Sequence, residues 1–421
     1  MALNIFSNGL RLVCLPKQDK KIACVVLYIA GGTQSEKNYQ SGISEYLTKI
    51  LLMGTTKHSS AEILQNYAKA NGIILTSHNS KEAITISAVC PKENVNVAIE
   101  LLSEIAFETN FSVEHGERAR KIQLSQVSML SENTNFVMDK LINSTLYYRT
   151  GLSNPKNGTN ISVSRFRALD AKDFYEKVFT PRNTIISVVG DVDQTEIYDL
   201  VKTEFFDKMK EDERVYKKLK YVSNIDDFTG SCKGRIKKLN QTRICVAFPT
   251  FSFKDKEKYV IEIIKPILIN HIKLSLANLD YYFDTKIKTK YYSNNGNIIF
   301  DIMVDYEEAG EHLRTFVQAL SDDIKNREIT DEEFETEKKV FITKFLEKYD
   351  NVLEGALVSA KTLALTKQTF SESSEILKID ILSNKDANKV LKRILDFKKM
   401  VVVYLGHDVD VDFDELSSIE G

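Results

Sequence analysis

Apolar positions follow two periods along this chain, and the two recur in the same order in each half. Runs of β-branched and other apolar residues predict strands at 10–15, after the turn signal Asn8-Gly9, and at 23–30, which ends at Gly31-Gly32. At 43–52, Ile43, Tyr46, Leu47, Ile50 and Leu51 fall at i, i+3, i+4, i+7 and i+8, which predicts an amphipathic helix stopped by Gly54. Residues 83–89 read as a strand, with helices near 94–107 and 112–130. The half closes with a strand at 184–189 and the turn Gly190-Asp191-Val192-Asp193.

The second half repeats this order. Residues 243–248 stand 218 positions after 25–30 (243 − 25), 299–304 answer 83–89, and 309–324 answer the helix after Pro91. Thr330-Asp331-Glu332-Glu333 opens a long helix with a capping box, where the first half has Ser112. The strand at 401–405 and the following Gly406-His407-Asp408-Val409-Asp410 echo the first half's ending. Elements repeated in one order at an offset near 216 predict a tandem duplication of one α+β unit. The expected division is a first domain at 1–215, a linker at 216–238 and a second, homologous domain at 239–421. Each domain is expected to be an antiparallel sheet with helices packed on one face. Around Lys208 to Arg214 acids interleave with bases, which reads as a solvated connection and not a basic patch.

Composition narrows the function classes. Hydrophobic residues make up 43% of 421, enough for a sizeable core. Lys plus Arg is 57 against 59 Asp plus Glu, so the net charge of −2 gives no electrostatic reason to bind nucleic acid or anionic membrane. No apolar run is long enough to span a bilayer. Five cysteines without a Cys-x-x-Cys pair, behind a start that lacks the secretory pattern, lead us to expect reduced thiols and a cytoplasmic location. A mitochondrial matrix location is the alternative if a targeting segment has been removed.

Candidate chemistry centres on the polar face of the 43–52 helix, where Glu45, Thr48 and Lys49 sit together. Glu45 before Lys49 at i, i+4 is the favoured order for a helical ion pair, about 0.2–0.5 kcal/mol when exposed. None of the six histidines (His58, His78, His115, His271, His312, His407) forms a His-x-x-x-His pair. Asp408, Asp410, Asp412 and Asp414 imitate a calcium loop, but Phe413 replaces its glycine and Ile419 its bidentate glutamate. No nucleophile elbow or phosphate loop is present.

The segment from Gly42-Ile43-Ser44-Glu45 to Gly54-Thr55 resembles the zinc-motif helix of the insulinase/pitrilysin metallopeptidases, in particular the mitochondrial processing peptidase branch. That family carries an inverted His-x-x-Glu-His motif, followed by an aliphatic run and Gly-Thr. Ungapped alignment puts Glu45 at the first histidine, Thr48 at the general-base glutamate and Lys49 at the second histidine. The family's third ligand is a glutamate 76 intervening residues on, along a helix with a Glu-Arg-x-Arg signature. Glu117-Arg118-Ala119-Arg120 supplies the signature, and the ligand position (126 − 49 − 1) falls on Gln126; a supporting glutamate falls on Ala119. Residues 72–82 look like the family's substrate-edge strand, with Thr76 and Ser77 where Asn-Ala is usual. The stretch from Phe174-Tyr175 to Gly190-Asp191-Val192 is very similar to the close of the family's first domain. In the second domain, Tyr282 aligns with a substrate-contacting tyrosine, although a packing aromatic accounts for it equally well, and Ser275 replaces the accompanying arginine.

The resemblance implies two homologous domains forming half of a clam-shaped chamber. Zinc takes His, Cys or carboxylate ligands, whereas these positions offer a carboxylate, an ammonium and an amide, and Thr48 cannot act as a base. The expectation is therefore a degenerate member with no catalytic residue, no metal and no cofactor of its own. It would pair with a catalytic insulinase-family protease subunit that holds the zinc, and help bind an extended peptide through Thr76, Ser77 and Tyr282. A purely structural scaffold subunit and an enzyme with a relocated site are the alternatives.

Overall fold

In the computed structural model, which describes residues 2–148, 150–209, 212, 228–277 and 284–419, the repeated pattern becomes two sheets. The first contains β1 (Ala2–Ile5), β2 (Arg11–Pro16), β3 (Ile22–Ala30), β4 (Ile74–Asn79), β5 (Ala83–Pro91) and β6 (Thr184–Gly190), in the order β1-β2-β6-β3-β5-β4. The second contains β7 (Ser231–Ile236), β8 (Gln241–Thr250), β9 (Thr285–Tyr291), β10 (Gly296–Asp305) and β11 (Val401–Gly406), in the order β7-β11-β8-β10-β9. With β1 removed, the first order maps onto the second strand for strand. The duplication is thus a duplication of topology, and the α+β class with two like domains is the observed one.

Two features add to the expected layout. Each sheet is antiparallel except for one parallel pair, β2 with β6 and β7 with β11. A parallel pair needs a long crossover, and here β3 to β5 and β8 to β10 lie in sequence between the paired strands. The second addition is that both faces of the first sheet are covered. Ala23, Val25, Leu27 and Ile29 of β3 join one core, while Cys24, Val26 and Tyr28 join another. This is why β3 reads as an unbroken apolar run and not as an alternation.

The second of those cores is completed by Val352, Ala356, Ala360 and Leu363, from the helix Val352–Thr366 of the other sequence half. Reciprocally, Val137, Met138, Ile142 and Leu146 of the helix Thr134–Leu146 pack with Cys245, Ala247, Ile299, Val401, Val403 and Leu405. The chain therefore divides into two compact units of mixed origin. One comprises Met1–Leu130, Asn154–Leu219 and Glu347–Ser371; the other comprises Ser131–Ser153, Lys220–Leu346 and Glu372–Gly421. Domain limits that follow the chain, at 215 and 239, pass over this exchange. The exchange itself is duplicated. The long helices Val113–Glu132 and Asp331–Asp350 precede the exchanged ones, and both pairs of helices start 218 positions apart (331 − 113 and 352 − 134).

The capping box expected at Thr330 is present: the Glu333 N–H donates to Thr330 Oγ1 at 3.2 Å, and the Thr330 N–H donates to Glu333 Oε2 at 2.9 Å. Among the described residues no helix is long and apolar enough to cross a membrane. Cys14, Cys24, Cys90, Cys232 and Cys245 are all unbridged thiols.

Candidate functional site

The motif helix, Ile43–Ile50, is built from its apolar stripe outward. Ile43, Tyr46, Leu47, Ile50 and Leu51 are all fully buried, and Tyr46 additionally donates its hydroxyl to the Gly116 carbonyl at 2.9 Å. Its first turn is capped by a side chain that precedes it. The buried carboxylate of Glu36 accepts from the Gly42 N–H at 2.7 Å, from the Ser44 N–H at 3.0 Å and from the Ser44 hydroxyl. These are helix donors that would otherwise lack partners. Burial pushes the Glu36 carboxyl up to about 7, against the pull of those hydrogen bonds. Gly42 is at φ 94°, a left-handed conformation that favours glycine, and a Cβ there would come within 2.7 Å of Gly158 Cα. At the far end Glu104 accepts from the Thr55 hydroxyl and lies 2.8 Å from His58 Nδ1, which fixes the turn after Gly54.

On the polar face, Lys49 Nζ lies 2.7 Å from Glu45 Oε1, with each side chain only 12% exposed. The two residues at the histidine positions thus bind each other. Thr48, at the base position, donates its hydroxyl back to the Glu45 carbonyl at 2.7 Å, and its own carbonyl accepts from Ser77 Oγ at 3.0 Å. That last bond ties β4, the final strand of its sheet, to the motif helix.

The structure brings Glu45, Thr48, Lys49 and Ser77 together. Thr76 instead shares a 2.7 Å hydrogen bond with Ser87 across the strand pair. Gln126 is half-buried on the helix Val113–Glu132, and Ala119 on that helix is fully buried. Tyr282 lies outside the described residues, while Ser275 is on the helix Glu257–Ala277.

Three residues that sequence reasoning missed shape this site. Glu36 caps the helix from six residues before Gly42. Gln123 is fully buried and donates through Nε2 to the carbonyls of Gly42, at 2.9 Å, and Asn157, at 3.0 Å. Lys156, in the turn so held, is within range of the Glu45 and Lys49 charges and acts on His78 in turn. None belongs to a motif or a periodic pattern; only Gln123, one turn before Gln126 on the same helix, carried a spatial hint.

The donor set does not suit zinc. An ammonium whose protons point at the nearest carboxylate offers no lone pair and repels a dication. Among the described residues no group of three or more His, Cys, Asp or Glu side chains is placed to hold a metal ion. The arrangement can present a polar, partly cationic surface beside a terminal strand.

Residues 12–160 match the family described as Insulinase (Peptidase family M16), and residues 165–341 match the Peptidase M16 inactive domain. The chain is 23% identical over 195 residues to an uncharacterized zinc protease of Bacillus subtilis, a match covering 46% of this chain and 47% of that one. It is 24% identical over 262 residues, 62% of this chain and 49% of the relative, to a probable mitochondrial-processing peptidase subunit beta of Arabidopsis thaliana. The matches thus span about half the length of these relatives. A solved protease structure from Helicobacter pylori is similar with a TM-score of 0.87 over 96% of this chain and 99% of that chain, at 17% identity. A chain in the structure of complex III2 from Candida albicans is similar at 0.81 over 99% and 98%, also at 17% identity. At these identities the structural likeness is one of fold.

Proposed function

The chain belongs to the insulinase (M16) family of peptidases, and from that premise we propose that it works as a non-catalytic subunit beside a catalytic insulinase-family protease chain. The partner supplies the zinc and the general base. This chain completes the chamber and helps hold an extended peptide along β4. The observation that carries the reading is the Glu45–Lys49 ion pair: the positions that would ligate metal are spent on each other, and Thr48 stands where a carboxylate would activate water. Pairing is favoured by the similarity to peptidase subunits whose names mark them as one of several chains.

We assign peptide binding to β4; the support for this is that β4 ends its sheet and that a terminal strand can accept a further strand through backbone hydrogen bonds. Co-purification from the native source, read by mass spectrometry, tests the proposal. The expected result is a stoichiometric insulinase-family chain with an intact His-x-x-Glu-His motif. Peptidase activity in the purified, chelator-treated single chain would overturn it. Isolation within a larger complex without such a protease would favour the scaffold reading.

A further inference from the structure

Lys156 occupies the second position of a turn closed by the Gly158 N–H, which donates to the Pro155 carbonyl at 3.0 Å. The turn is pinned to the start of the motif helix by Gln123, through Asn157 and Gly42, and by the close approach of Gly158 to Gly42. The Lys156 ammonium is thereby in electrostatic range of Glu45, Lys49 and His78. Glu45, which is engaged by Lys49 at 2.7 Å, also acts electrostatically on Lys156 and on His78. Lys156 is half-buried and makes no hydrogen bond or ion pair among the described residues. Burial holds its ammonium below the ordinary lysine range; Glu45 opposes this and Lys49 adds to it.

A half-buried lysine that makes no hydrogen bond or ion pair among the described residues can meet an anion brought in from outside in a charge-assisted hydrogen bond. The direction of approach is set by β4. His78 belongs to that strand, and Ser77 fastens the strand to the motif helix, so a peptide laid along β4 passes the Lys156 corner. We infer that Lys156, backed by Lys49 and His78, binds a peptide carboxylate at the former metal seat, supplied either by a C-terminus or by an Asp or Glu side chain. The inference rests on the peptide-binding reading above and adds a chemical selectivity to it.

Fluorescence anisotropy on the full chain tests it with three forms of one short fluorescein-labelled peptide of Val, Thr and Ala: the free C-terminal acid, the C-terminal amide, and the amide with an internal Glu. At least one carboxylate form should bind about tenfold more tightly than the plain amide, the gain expected of one charged hydrogen bond. Which form gains identifies the source of the carboxylate. Lys156→Gln should abolish the preference and Lys156→Arg should keep it, each read as the ratio to the same variant's binding of the plain amide. Equal affinity for all three forms, or a preference that survives Lys156→Gln, overturns the inference and leaves peptide binding standing. Failure of all three to bind removes the peptide-binding reading and this inference with it.

Discussion

Lys49 Nζ and Glu45 Oε1 meet at 2.7 Å, one helical turn apart, on a face where both side chains are 12% exposed. An exposed pair at this spacing contributes only about 0.3–0.5 kcal/mol. Here the greater consequence lies in breaking the pair, because the remaining charge stays poorly solvated. The ion pair joins the two residues that stand at the histidine positions of the motif helix.

Removing one partner should therefore cost more than removing both. Lys49→Gln is expected to lower unfolding free energy by about 1–3 kcal/mol, since it strands Glu45. The double variant Glu45→Gln with Lys49→Gln should recover most of that loss. Urea titrations at neutral pH check this through the midpoint at constant slope. A double variant no more stable than the single would show that the pair is not the relevant unit.

Glu36 gives a pH dependence whose sign follows from its burial. Its folded carboxyl holds a proton up to about 7, while an unfolded one releases it near 4.5. Between those values the native state binds more protons, so the Glu36 contribution is present at low pH and is lost as pH rises toward about 7. Glu36→Gln should flatten the decline in stability across that window. Chemical denaturation in a pH series reads it, and parallel slopes for both proteins would refute the assignment.

His271 and Glu333 produce two limbs in the other unit. His271 Nε2 lies 2.8 Å from Glu333 Oε1, and its Nδ1 lies 3.2 Å from Asp323 Oδ1. Burial opposes the imidazolium, but the hydrogen bond to Glu333 and the nearby Asp323 carboxylate outweigh it and raise its titration above the ordinary histidine value. Burial likewise opposes ionised Glu333, yet His271 and the Thr330 cap hold it down at about 2. The raised histidine stabilises below its unfolded value, and that stability fades as pH climbs through its folded value. The depressed glutamate stabilises above about 4.5, and that stability fades as pH falls toward about 2. His271→Gln should erase the alkaline limb, and Glu333→Gln the acid limb. Unchanged limbs in stability measured against pH would contradict this.

Much of the fold was legible in local pattern. The stripe from Ile43 to Leu51 is buried as its spacing requires, and the predicted strands at 83–89 and 243–248 lie within β5 and β8. The repeated order of elements anticipated two sheets of matching topology. The helix exchange was not legible, because periodicity says that a helix has an apolar face and does not say which sheet that face meets. Val352 and Val137 carry no mark of their destinations. The site was half legible for the same reason. Glu45, Thr48 and Lys49 are set by spacing along one helix. Glu36, Gln123 and Lys156 reach the helix through turns and tertiary hydrogen bonds, for which the sequence has no period.

The central claim is that the former metal seat holds an ion pair in place of zinc. Equilibrium dialysis of the purified chain against zinc, with metal content measured by mass spectrometry, addresses it most directly. The account predicts no tightly held zinc in the native chain, and gain of a site when Glu45→His, Thr48→Glu, Lys49→His and Gln126→Glu are introduced together. One tightly held zinc per native chain, released on substitution of Glu45, would contradict it.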